Sequence, residues 1–108
     1  MSGVSLVLVT APDEAKAASI GRTLVEEGLI ACANLLPKVR SIYRWKGEVC
    51  DEAEVLLVLK IATERFEAVR ARVVQLHPYE VPEIIRLEVD AGHAPYLEWV
   101  RSAGQFAG

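Results

Sequence analysis

The segment Leu76–Ile85, LHPYEVPEII, places one histidine, one tyrosine and two glutamates around two prolines. Imidazole suits copper and zinc, and the carboxylates of Glu80 and Glu83 could add oxygen ligands. His77 is therefore a candidate metal ligand, although no second histidine follows at helical ligand spacing. The two prolines fix two φ angles and remove two donors, so the pattern favours a rigid connector over direct ligation.

Cys32 is the stronger metal candidate, because a soft thiolate prefers Cu(I). One thiolate alone makes a poor site, so copies from several subunits, or His77 brought near in the fold, would have to complete it. The alternative, a small buried apolar side chain, stays open, since free cysteine is among the most buried residue types. Cys50 lies beside Asp51 and Glu52 in a predicted turn and is expected to be an exposed thiol.

The residues suggest two further kinds of site. Cys32 and His77 could act as nucleophile and base, but the sequence shows no elbow or glycine-rich cradle for an oxyanion, so no enzymatic activity is expected. Tyr43 and Trp45 could line a ligand pocket together with Glu83, and Lys60 would offer a cation to an anionic ligand. Aromatic side chains on one strand face also pack in subunit interfaces, and the two roles are compatible.

The first half of the chain predicts strand, helix and strand. Ser5–Thr10 is apolar on both faces, as in a central strand. Asp13 is the predicted N-cap of a helix that ends at Gly28. The second strand region runs from about Leu29 to Trp45 and is interrupted near Pro37. The predicted buried stripe of the helix consists of Ala17, Ile20, Gly21 and Leu24.

The second half predicts strand, helix, strand and a short final helix. A turn begins at Lys46, and residues 54–61 form a strand buried on both faces. Thr63 is the predicted N-cap of a helix that His77 must end, because it precedes a proline. Residues 85–89 alternate as an edge strand with one solvated face. The final amphipathic helix carries Tyr96, Leu97, Trp99 and Val100.

This element order predicts a single α+β domain over residues 1–108: a ferredoxin-like βαββαβ sandwich with an extra C-terminal helix. Helices cover one face of such a sheet, whereas the first and third strands are apolar on both. Because 52% of residues are hydrophobic, the uncovered face is expected to pack against identical subunits.

Charge and hydropathy argue against several classes of partner. The net charge of −3 gives no reason to bind nucleic acid or an anionic membrane. The apolar run Val4–Val9 is too short to span a bilayer and lacks the basic lead of a secretory signal. A cytoplasmic protein is therefore expected.

Several segments together resemble the CutA divalent-cation tolerance family. They are TAPD at 10–13, ACANLLP at 31–37, the spaced Ser41, Tyr43, Trp45 and Gly47, then Glu54, Lys60, HPYEVPEI at 77–84, and Tyr96, Leu97 and Trp99. The resemblance implies a PII-like homotrimer, binding of copper or another divalent cation in which the cysteine matching Cys32 is implicated, no organic cofactor and no established reaction. Animal relatives are linked to anchoring a cholinesterase.

Three hypotheses follow. The first is a non-enzymatic trimer that weakly binds copper or other divalent cations through Cys32, with carboxylate or imidazole groups near the subunit clefts. The second is a regulatory module whose clefts hold a small anionic ligand. The third is a scaffold that anchors another protein.

Overall fold

A computed structural model describes residues 1–105 of the chain and contains one four-stranded antiparallel sheet. The elements are β1 (Val4–Ala11), α1 (Glu14–Glu26), β2 (Cys32–Trp45), β3 (Glu48–Ala62), α2 (Phe66–Leu76), β4 (Ile85–Glu88) and α3 (Ala94–Arg101). The strand order β2-β3-β1-β4 is that of a ferredoxin-like split βαβ unit. The predicted α+β class and the extra C-terminal helix are confirmed.

Helix α1 follows the predicted pattern closely. The side chain of Asp13 accepts a 2.7 Å hydrogen bond from the backbone N–H of Lys16, as an N-cap does. The four residues of the predicted stripe are the buried ones. A Cβ on Gly21 would lie 3.1 Å from the Cβ of Ala33, so α1 approaches β2 where no larger side chain fits.

The main core lies between the sheet and the two long helices. One face of β1 and β3 contributes fully buried side chains, including Val7, Val9, Leu57 and Leu59. Their helical partners are Ile20, Leu24, Val69 and Val73, which are also fully buried. This layer is the one that the sequence pattern predicted.

The opposite face of the sheet, here called the open face, is apolar and only partly covered. Leu6 and Leu8 of β1 lie beside Lys60 and Val58 of β3, and all four are half-buried. Leu36, Ile85 and Leu87 extend the surface at 44–49% exposure. Helix α3 covers only one end, where Val100 packs with Val4 and Ala31.

A β-bulge divides β2 near the predicted interruption. Leu36 pairs with Leu56 and Val39 with Glu54, so β2 carries one extra residue. Lys38, within the bulge, has a φ of +64°. Because side chains alternate, the extra residue moves the odd-numbered side chains from Val39 onward to the side of the open face.

The β2–β3 hairpin closes more tightly than the sequence suggested. Lys46 and Gly47 have φ angles of +50° and +82°, as in a two-residue type I′ turn. Strand β3 therefore begins at Glu48, and Cys50 pairs with Tyr43. The prediction that residues 50–52 lie in a turn is wrong, because the turn needs only two residues; Cys50 is half-buried in a strand.

Two smaller predictions concern the cap of α2 and the edge strand β4. The hydroxyl of Thr63 shares a 2.7 Å hydrogen bond with that of Ser5 and does not cap a helix; a 3₁₀ turn precedes α2, which begins at Phe66. Strand β4 is an edge strand as predicted, but all four of its residues are exposed. No helix within residues 1–105 covers Ile85 or Leu87 from the open side, so a single solvated face on β4 requires a second subunit and stays a prediction.

Candidate functional site

A wide cleft lies between the outer part of the β2–β3 hairpin and the connector of residues 78–83. Its volume is about 700 Å³. The hairpin contributes Ser41, Ile42, Tyr43, Trp45 and Glu54, the connector contributes Pro78, Tyr79, Glu80, Val81 and Glu83, and Thr10 lies at the end of β1. The cleft thus occupies one end of the open face, and α3 occupies the other.

Glu54 is the most buried carboxylate of the cleft, at 7% exposure. The hydroxyl of Tyr79 donates a 2.6 Å hydrogen bond to its Oε2. Within residues 1–105 Tyr79 is the one donor to this carboxylate, and Oε1 is not fully buried. Burial and the adjacent Glu54 carboxylate raise the pKa of Tyr79, so its hydroxyl stays protonated.

Glu83 stands across the cleft on the connector. Burial, and then the negative charge of Glu54, raise the pKa of its carboxyl above the ordinary value. Two carboxylates therefore share one partly desolvated space, where a bound cation would relieve their repulsion.

The outer wall of the cleft is aromatic. Tyr43 and Trp45 are 39% and 40% exposed and lie on the face predicted from strand alternation. Tyr43 donates a short hydrogen bond to Glu52, which raises the pKa of the phenol. At the rim, the ammonium of Lys46 lies 3.7 Å from Glu80 and 5.6 Å from the centroid of the Trp45 ring.

His77 is buried, and both of its ring nitrogens bond to backbone. Nε2 donates to the carbonyl of Thr10 over 2.7 Å, and Nδ1 accepts from the N–H of Tyr79 over 3.1 Å. This geometry requires the neutral tautomer with its proton on Nε2. The ring therefore links the connector to β1, which agrees with the rigid connector that the sequence pattern favours. A metal ion could bind His77 only by displacing one of these two hydrogen bonds.

Cys32 and His77 lie apart within one chain. Cys32 is opposite Lys60 in the β2–β3 ladder, and Lys60 is opposite Leu6 of β1. His77 contacts Thr10, four positions further along β1 and hence ~13 Å away along the strand. Among residues 1–105 no cluster of three or more His, Cys, Asp or Glu side chains is arranged to hold a metal ion.

Lys60 also lies outside the cleft. It shares a face of β3 with Glu54 but is six positions away, or ~20 Å of extended strand. Its ammonium lies 5.9 Å from the ring of Tyr96 in α3. The structure therefore brings Tyr43, Trp45 and Glu83 together and leaves Lys60 with Cys32 at the other end of the open face.

Sequence reasoning did not single out Glu54 or Tyr79 as a pair. A glutamate at the head of the apolar run EVLLVL was one available signal, since a buried carboxylate needs a donor. The identity of that donor depends on the connector folding back over β3.

No helix within residues 1–105 is both long and apolar enough to cross a membrane.

The sequence model of the family described as CutA1 divalent ion tolerance protein matches residues 5–103. The divalent-cation tolerance protein CutA of Thermus thermophilus is 48% identical over 96 residues, which cover 89% of this chain and 93% of that protein. Protein CutA of Homo sapiens is 46% identical over 91% of this chain and 55% of its own length, so this chain spans about half of that relative.

Solved structures share the whole architecture. The crystal structure of CutA from Xylella fastidiosa superposes with a TM-score of 0.91 at 38% identity and covers 94% of this chain and 97% of that one. The apo form of the PII-like protein CutA from Nostoc sp. PCC 7120 superposes with a TM-score of 0.87 at 44% identity, with the same two coverages.

Proposed function

Because the chain belongs to the CutA1 divalent ion tolerance protein family, we propose that it is a non-enzymatic, cytoplasmic homotrimer that weakly binds divalent cations or copper. The Thermus thermophilus relative is named for divalent-cation tolerance, which describes a response to metal and no reaction. Weak binding fits this role, since a protein that relieves an excess of metal need not retain each ion.

The open face supports the trimer. Leu6, Leu8, Leu56 and Val58 form its centre and are only half-buried in a single chain. Contiguous apolar surface of this kind marks a protein interface, and identical subunits related by a closed rotation can cover it.

The observation that carries the metal proposal is the place of Cys32 on the open face. Cys32 begins the edge strand β2 and is half-buried opposite Lys60. If subunits cover this face, the thiol lies at their boundary, where groups of a second chain complete a coordination sphere. A soft thiolate at such a boundary favours Cu(I) over harder cations.

The test is a titration of the trimer with Cu(I) under reducing conditions, using Cys32→Ser and the matched control Cys50→Ser. Cys50 is the other half-buried thiol and lies in the outer hairpin. We expect Cys32→Ser to lose the Cu(I) site and Cys50→Ser to keep it. Equal affinity and stoichiometry in wild type and Cys32→Ser would remove Cys32 from the proposal.

The alternative of an anionic regulatory ligand receives little support from the cleft. Three glutamates line it, and Lys60, the cation expected for such a ligand, lies elsewhere. The negative charge of these glutamates therefore disfavours binding of an anionic ligand. No contact within residues 1–105 specifically favours the anchoring scaffold.

A further inference from the structure

We draw no further inference here: the strongest candidate, the apolar groove on the helix side of the sheet between α1 and the edge strand β2, lined in part by Gly21, Val25, Ala33 and Leu35, carries nothing because no feature of residues 1–105 shows what covers it.

Discussion

The hydroxyl of Tyr79 donates a 2.6 Å hydrogen bond to Glu54, whose side chain is almost fully buried. Tyr79→Phe removes the donor and leaves the carboxylate without a partner. We expect the free energy of unfolding to fall by ~1–3 kcal/mol, the cost of an unsatisfied buried group. Chemical denaturation at neutral pH measures it.

Tyr43→Phe is the matched control, since Tyr43 also donates to a glutamate, Glu52, but both side chains are exposed. Water replaces the lost donor there, so the stability should be nearly unchanged. If the free energy of unfolding falls equally in the two variants, the burial of Glu54 does not determine the strength of its hydrogen bond.

His77 is predicted to stabilise the connector through its two backbone hydrogen bonds. His77→Ala should lower the free energy of unfolding by ~1–3 kcal/mol, because the Thr10 carbonyl loses its donor. His93→Ala, which removes the exposed second imidazole, should have little effect. If His77→Ala stays folded but binds fewer copper ions, the imidazole is a metal ligand as well as a link between the connector and β1.

The open face predicts that a buried charge will break the assembly. Leu8→Lys places an ammonium at the centre of that face, where desolvating it would be costly. We expect sedimentation to show single chains at concentrations where the wild type forms the proposed trimer. Val74→Lys, on an exposed position of α2, should leave the trimer intact. A trimeric Leu8→Lys protein would place the interface elsewhere.

The Glu27–Arg72 pair predicts a measurable pH effect. The hydrogen bond from Arg72 is the main cause that lowers the pKa of Glu27 below its ordinary value of 4.5. A lowered carboxyl pKa adds stability above pH 4.5 that is lost as pH falls through the folded-state value. In Arg72→Gln, the carboxyl titration of Glu27 followed by NMR should move up toward 4.5; an unmoved titration would contradict the assignment.

The sequence predicted those parts of the fold that local chemistry decides. The spacing from Ala17 to Leu24 predicted the buried stripe of α1, and the proline after His77 predicted where α2 ends. The expectations for residues 50–52 failed because Lys46 adopts a positive φ, a conformation that a lysine side chain gives no reason to predict. Thr63 failed as a cap because Ser5, distant in sequence, competes for its hydroxyl.

The site was predictable only in part, for a related reason. Alternation placed Tyr43 and Trp45 on one face, and the bulge at Pro37 and Lys38 determines which face that is. Lys60 shares the strand face of Glu54, yet its distance along β3 keeps it out of the cleft. Which residues meet depends on how the connector packs against the hairpin, and such long-range contacts leave no local pattern.

Within residues 1–105 of a single chain, no strand pairs with the outer side of β2, from Cys32 to Trp45. An unpaired strand edge can form hydrogen bonds with strands of other molecules, and repeated pairing of this kind produces insoluble fibrils. Pro37 has no backbone N–H to donate to a neighbouring strand, and Lys38 and Arg44 give the same strand two positive charges. Two copies of this strand would repel each other if they met edge to edge. We therefore expect these residues to disfavour aggregation through β2 at high protein concentration.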